Sequence, residues 1–153
     1  MQVGIIAVTE QCHKLKTFGY SYCRKVMNAA LEAIVSNNLP QLETLYAHRC
    51  NISVLPDDFG DKLKRMRILY LGSNNITALP PSIGNLAGTC TNSTFSGNPL
   101  QDPPLGVAKQ GIKAIKRYFT ELDYGYHISN QQKIVLVGNK EVGKTSLLHA
   151  LQG

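Results

Sequence analysis

Two stretches of this sequence share one spacing of apolar residues, offset by 24 positions. Residues 42–56 read L-x-x-L-x-A-x-x-C-x-I-x-x-L-P, and residues 66–80 read M-x-x-L-x-L-x-x-N-x-I-x-x-L-P. Each stretch is followed by a further apolar position, Phe59 or Ile83, and then by Leu63 or Leu86. One such unit cannot bury its own apolar face. The spacing therefore predicts repeated units that stack and share one core.

The pattern L-x-x-L-x-L-x-x-N/C-x-L, with a period of about 20–29 residues, is typical of leucine-rich repeats. It predicts a short strand from which Leu42, Leu45 and Ala47 point inward, and a turn filled by Ile52 and Leu55. The Asn or Cys of the pattern, here Asn74 or Cys50, is expected inside the bend. An Asn at that place can satisfy backbone groups that the turn would leave without partners.

The repeats are predicted to occupy residues 38–104, after an irregular N-terminal cap over 1–37 with a helix near 22–35. Whether 31–39 is the tail of a further repeat stays open. A third unit ends correctly at Asn98, but Cys90 and Ser93 stand where large apolar residues are expected. Replacing a buried Leu by Ser loses about 2 kcal/mol of apolar burial, so we expect this unit to be poorly packed.

The variable positions of the strands are predicted to face the concave side of the stack. Tyr46 and Tyr70 are equivalent in the two repeats and should lie side by side. With His48 and Arg67 they form the candidate partner-binding set, because Tyr and Arg are enriched at interaction hot spots. Ordinary exposed strand surface is the alternative interpretation.

Residues 105–127 are predicted to form a capping helix and a linker. Apolar residues recur there at helical spacing: Ala108, Ile112, Ile115, Phe119 and Leu122. Pro103-Pro104 precede this stretch and Gly125 follows it. This stripe would cover the open end of the repeat core. A basic helix lying on a membrane surface is the alternative. The polar stretch 123–132 is predicted to be a connection.

A phosphate-binding loop is predicted near the C-terminus. The apolar run at 133–137 leads into G-x-x-x-x-G-K-T at 138–145, and a helical pattern follows. Strand, loop and helix in this order are the context in which the motif is specific. Its residues are Gly138, Asn139, Lys140, Glu141, Val142, Gly143, Lys144, Thr145 and Ser146. Gly143 would allow close backbone approach, Lys144 would reach the β- and γ-phosphates, and the Thr145 hydroxyl would bind Mg²⁺.

Three features follow one another along this chain. Leucine-rich repeats come first, then a predicted helix with the pattern P-P-x-x-x-A-x-Q-G-I-x-A-I-x-x-Y-F, and then the stretch K-I-V-L-V-G-x-x-x-x-G-K-T-S-L-L. Over residues 38–153 this order resembles the Roco family, in which repeats precede a Ras-like Roc GTPase domain. The resemblance implies that 128–153 begins such a domain. The intact parent would then bind GTP or GDP with Mg²⁺, hydrolyse GTP, recruit a protein partner in signalling, and could dimerise.

The sequence departs from that family in two respects. Glu141 stands where many Ras-like loops carry Gly, and no D-x-x-G or guanine-reading N-K-x-D motif follows. The chain is therefore expected to be truncated just after the loop, to bind GTP weakly or not at all alone, and not to be catalytic. An interaction scaffold without a working nucleotide site is the alternative function.

The fold class predicted is α/β: a short leucine-rich-repeat solenoid, a C-terminal capping helix and an incomplete P-loop strand–loop–helix unit. The net charge of +6 is scattered along the chain, so no nucleic acid partner is expected. No apolar run reaches the length of a membrane span, and no signal peptide is recognised. A cytoplasmic protein with reduced structural thiols is expected.

Overall fold

Four three-residue strands lie side by side in one parallel sheet, each paired with its neighbours along the chain. They are β1 (Thr17–Gly19), β2 (Thr44–Tyr46), β3 (Ile68–Tyr70) and β4 (Asn92–Thr94). Leu45 lies opposite Leu69, so residues 24 positions apart become neighbours. The computed structural model describes residues 11–12, 14–24, 28–37 and 39–130, with backbone alone for 124–130.

The predicted inward positions form the core. Strand residues alternate between the two faces of a sheet, so Leu45 and Leu69 point inward while their chain neighbours point outward. The inward residues of both repeats, together with those that fill the turns behind the strands, are at most 3% exposed: Leu42, Leu45, Ala47, Ile52, Leu55, Met66, Leu69, Leu71, Ile76 and Leu79. The packing predicted from the repeat is confirmed.

The Asn or Cys position of each repeat lies buried inside the bend. Cys50, Asn74 and Asn98 occupy this position and together form a buried polar column. Asn74 Oδ1 accepts hydrogen bonds from the backbone N–H groups of Cys50 at 2.8 Å and Ile52 at 3.2 Å. Asn98 repeats the arrangement in the next coil, where a coil is one repeat unit of the solenoid. Its Oδ1 accepts a hydrogen bond from the N–H of Ile76 at 3.0 Å. The predicted role of Asn in satisfying the turn backbone is confirmed.

The convex side carries short helices. The helix Phe59–Lys62 and the 3-10 helix Pro81–Gly88 occupy equivalent places and bury Phe59 and Ile83. Gly60 touches the next coil so closely that an added Cβ would lie 1.9 Å from the Ser82 carbonyl oxygen. Gly is needed there for close approach of the two backbones.

The N-terminal region differs from the irregular cap predicted over 1–37, because β1 belongs to the sheet. Its residues follow the repeat as Leu15-x-x-Phe18-x-Tyr20-x-x-Cys23, and Phe18 lies opposite Leu45. The offset from the next repeat is 27 residues, as in Thr17 opposite Thr44, and aromatic residues replace leucines. A search for a period of 24 residues misses this coil.

The helix predicted near 22–35 is found as Asn28–Ser36, where it buries Ala30, Leu31, Ile34 and Val35. Asn28 ties this helix to the first predicted repeat, since its Oδ1 accepts a hydrogen bond from the Ser53 N–H at 2.9 Å. The helix therefore takes the convex position of the additional coil.

The third repeat is better packed than predicted. Cys90 and Ser93 are half-buried where the earlier repeats bury large residues fully. However, Phe95 is 2% exposed at the next inward position, and β4 keeps its pairing with β3. The predicted weakness is therefore confined to the start of this coil.

Two helices follow the repeats, Leu105–Ala108 and Ile112–Asn130. The turn between them passes through Gly111, whose φ of +93° is in the left-handed region that Gly adopts without strain. Ile112 and Ile115 are buried in the same core as the repeats, and Phe119 packs against it.

Three details of this region correct the prediction. Leu122 is 50% exposed, so the buried stripe ends at Phe119. Gly125 lies within the long helix and not after its end, and the connection predicted over 123–132 is helical as far as Asn130. A helix interior tolerates Gly at a cost of about 1 kcal/mol, so one Gly did not end this helix.

The chain divides into two compact units, Met1–Leu122 and Asp123–Gly153. The predicted strand 133–137 and the predicted phosphate loop lie outside the described residues. Within the described part, no helix has the length and apolar character needed to cross a membrane.

Candidate functional site

The outward side of the sheet presents two neighbouring tyrosines. Tyr46 and Tyr70 are paired in register on β2 and β3, with ring centroids 5.3 Å apart and planes at 68°. This is the edge-to-face contact that aromatic pairs favour. Asn92 on β4 extends the row, because its Nδ2 donates a hydrogen bond to the Tyr70 hydroxyl at 2.9 Å. The predicted adjacency of the two rings is observed.

Arg67 immediately precedes β3 and is paired with an acidic neighbour. Its Nε is 3.5 Å from Glu43 Oε2, and the Arg67 side chain is 69% exposed. An exposed ion pair contributes little stability, so Arg67 can change partners at low cost.

His48 belongs to a second aromatic contact, which involves a residue that the sequence did not single out. Its ring lies edge-on to Tyr22, with centroids 5.8 Å apart, and the guanidinium carbon of Arg49 is 5.5 Å from the centre of the Tyr22 ring. Tyr22 is 68% exposed. Aligning residues 15–23 with 42–50 would have placed it on this face.

The term aromatic face is used below for four residues: Tyr22, Tyr46, His48 and Tyr70. Three of the four are tyrosines, which supply a large contact area and a polar hydroxyl at low entropic cost. Tyr46 and Tyr70 lie on strands that are held in place by fully buried residues beneath them, whereas Tyr22 and His48 lie in the turns that follow β1 and β2. Such a surface suits protein recognition.

Two polar clefts flank the aromatic face. The carboxyl-edge cleft, beyond the carboxyl ends of the strands, has a volume of about 390 Å³ and is lined by Arg24, Arg49, Asn51, Ser73 and Asn75. The amino-edge cleft, before the strands begin, has about 400 Å³ and is lined by Glu43, Arg65, Arg67, Gly88, Thr89 and Thr91. The two clefts differ in charge, because the amino-edge cleft includes a carboxylate.

Comparison with known families agrees with this architecture. The family model described as Leucine Rich Repeat matches residues 41–61 and 65–86. The chain contains leucine-rich repeats. The matched segments include β2 and β3, which carry the Tyr46–Tyr70 pair, whereas the coils of β1 and β4 extend the array on both sides.

The chain is also similar to a curated protein of Dictyostelium discoideum named probable serine/threonine-protein kinase pats1. The two are 30% identical over 80 residues, which is 52% of this chain and 2% of that protein. The chain thus spans a small part of the length of this relative.

The predicted phosphate loop is not among the residues that the structure describes. All nine residues of the predicted phosphate loop, including Thr145, the predicted Mg²⁺ ligand, lie outside the described residues. Within the described ranges, no group of three or more His, Cys, Asp or Glu side chains is placed to hold a metal ion. The partner role of Tyr46, His48, Arg67 and Tyr70 stays a prediction.

Proposed function

We propose that the repeats bind a protein partner across the aromatic face. The observation that carries this proposal is the edge-to-face contact of Tyr46, which is exposed, with Tyr70, which is half-buried, on strands whose inward residues are fully buried. Leucine-rich repeats suggest protein–protein interaction, and a rigid aromatic surface loses little side-chain entropy when a partner binds. The proposal assigns this role to the sheet and not to the convex helices.

Selection of displayed random peptides on the full chain tests this role. Peptides that bind the wild-type chain should lose about tenfold or more in affinity when Tyr46 or Tyr70 is replaced by Ala, as expected for hot-spot residues. Val54→Ala is the matched control, since Val54 is also an exposed apolar residue, at 58%, but lies in the turn behind the strands. Equal losses for the Tyr46 and Val54 variants would sink the proposal.

We further propose that the chain is the repeat-bearing portion of a Roco-type GTP-binding protein. Two features of the sequence support this proposal: the G-x-x-x-x-G-K-T motif at 138–145, and the order of repeats, helix and motif. The long helix would cap the repeat core through Ile112 and Ile115, which are buried in it. A scaffold without a working nucleotide site is the competing proposal.

Titration with fluorescent GTP and Mg²⁺ separates these two proposals. The chain alone should bind weakly or not at all. The product of the complete reading frame of its gene should bind GTP and lose binding in a Lys144→Ala variant, because that lysine would contact the phosphates. A complete product that binds no GTP, or binds it equally well without Lys144, would favour the scaffold.

A further inference from the structure

The carboxyl-edge cleft is lined by hydrogen-bond donors and cations. Among the described residues its lining consists of Arg24, Arg49, Asn51, Ser73 and Asn75, none of which is acidic. Within the same ranges, neither arginine is paired with a carboxylate. Two guanidinium groups beside amide and hydroxyl donors match the chemistry of a carboxylate or a phosphate.

The hydrogen bond between the two asparagines increases the donor character of this cleft. Asn75 Nδ2 donates to Asn51 Oδ1 at 2.6 Å, so the Asn51 oxygen already has a donor. The Asn51 amide NH₂ donates to no group among the described residues, so both of its protons are available to a ligand. An incoming anion would therefore meet an N–H group in addition to the two arginines.

The cleft is held in shape by the fold itself. Arg49 and Ser73 have left-handed backbone, with φ of +56° and +53°, and the equivalent residues Tyr22 and Gly97 have φ of +65° and +76°. Because all four coils share this turn, the conformation comes from the repeat and does not need a ligand. Arg49 is further positioned over the Tyr22 ring.

The rest of the outward surface points to the same kind of partner. Glu43, the acidic residue that flanks the strands of the aromatic face, is neutralised by Arg67, whereas the arginines of the carboxyl-edge cleft have no such partner among the described residues. His48 lies two residues beyond Tyr46 in the chain and contacts the Tyr22 ring, over which Arg49 is placed. A segment lying along the strands would pass from the tyrosines to the arginines.

We infer that the carboxyl-edge cleft, lined by Arg24, Arg49 and Asn51, binds an anionic side chain of the protein partner, either a carboxylate or a phosphate. This inference rests on the proposed binding of a protein across the aromatic face and adds the charge that the partner presents. The two clefts would then differ in the ligand charge that they favour, because the amino-edge cleft contains both arginines and a carboxylate.

The first experiment probes the cleft without a partner. Sodium phosphate, sodium acetate and sodium chloride are titrated into the ¹⁵N-labelled full chain at constant ionic strength. Phosphate, and to a smaller extent acetate, should produce saturable shifts of the Asn51 and Asn75 side-chain NH₂ signals. Asn85, whose amide donates to Asp61 on the convex side at 2.7 Å, is the internal control. Equal shifts with chloride, or none with phosphate, would overturn the inference.

The second experiment uses the peptides selected on the full chain. Each is synthesised with Glu, phosphoserine or Gln at every acidic position in turn. The Glu and phosphoserine forms should bind about tenfold more tightly than the Gln form at one position, the size expected for charge-assisted hydrogen bonds. Comparing Glu with phosphoserine shows which anion is preferred.

Variants of the chain complete the test. Arg24→Gln, Arg49→Gln and the isosteric Asn51→Asp should each reduce the advantage of the acidic peptides by about fivefold or more. Arg65→Gln, an arginine of the amino-edge cleft, should not. Peptide binding that ignores charge contradicts this inference but leaves the proposed function intact, whereas absence of peptide binding contradicts the proposed function itself.

Discussion

At the scale of single residues, Asn74 joins two coils through their backbones. Its Oδ1 accepts from two N–H groups of the preceding coil, and its Nδ2 donates to the carbonyl oxygens of Ala47 at 2.8 Å and Leu71 at 2.9 Å. The residue is 4% exposed, so water cannot readily replace these contacts. Each buried group left unpaired costs about 1–3 kcal/mol.

We therefore predict that Asn74→Ala lowers the free energy of unfolding by about 3 kcal/mol, as measured by urea denaturation. Asn75→Ala is the control, because the adjacent Asn75 is exposed and its side chain donates to Asn51 alone among the described residues. That variant should change stability by less than about 0.5 kcal/mol. Similar losses in both variants would show that the polar column does not stabilise the coils.

Tyr20 makes stability depend on pH in the alkaline range. Burial, followed by the nearby Cys50 and Cys23, raises the pKa of its hydroxyl above the ordinary 10.0. Above pH 10 the unfolded chain loses this proton while the folded chain keeps it, so the folded state loses relative stability as pH rises. Below pH 10 the contribution is fully present.

Tyr20→Phe should accordingly reduce the loss of stability between pH 8 and pH 10.5 by roughly 1 kcal/mol. Urea denaturation of both proteins at the two pH values measures the difference, in which the other titrating groups cancel. Parallel losses in the two proteins would mean that the folded state does not hold this proton.

At the scale of elements, the convex helices pack backbone against backbone. Gly60 in the helix Phe59–Lys62 approaches the Ser82 carbonyl so closely that a side chain cannot fit without movement. We predict that Gly60→Ala destabilises the protein by about 1–3 kcal/mol through overpacking. Thermal unfolding would measure this loss.

Gly106→Ala is the matched control for that variant. Gly106 also lies in a short helix, and an added Cβ there would meet no atom within 4 Å. Ala should leave stability unchanged or raise it slightly, because Ala favours helix more than Gly does. Destabilisation by Gly106→Ala as large as that by Gly60→Ala would exclude close approach as the cause.

The long helix provides a second prediction at this scale. Ile115 is fully buried in the repeat core, whereas Leu122 is 50% exposed on the same helix. Ile115→Ala should cost about 3 kcal/mol and Leu122→Ala less than about 1 kcal/mol. Denaturant unfolding of both variants compares them. Equal effects would show that the helix does not share the core of the repeats.

The elements also show what the sequence could reveal. Leu45 and Leu69 are predictable because one buried column repeats at a constant offset. Phe18 was missed because its coil is longer by three residues and carries aromatic residues where leucines are expected. The prediction that the helix ends before Gly125 was wrong. A Gly ends a helix where the local backbone adopts a left-handed turn, and the residue type alone does not determine this.

At the scale of the whole repeat unit, one buried cluster extends from Tyr20 to Ile115. Stacked coils that share a core hold their outward faces at fixed spacing. The Tyr46–Tyr70 pair was predicted from that spacing, whereas the contact between Tyr22 and His48 was missed because the first coil was overlooked. The arginines of the carboxyl-edge cleft are likewise far apart in the sequence and meet only in the fold.

The most direct test of partner binding by the aromatic face is a map of amide chemical-shift changes. A selected peptide is titrated into the ¹⁵N-labelled full chain. The largest changes should occur in β2, β3 and β4 and at His48, and the convex residues Asp61 and Asn85 should change little. Largest changes at the convex helices, with the strands unaffected, would contradict it.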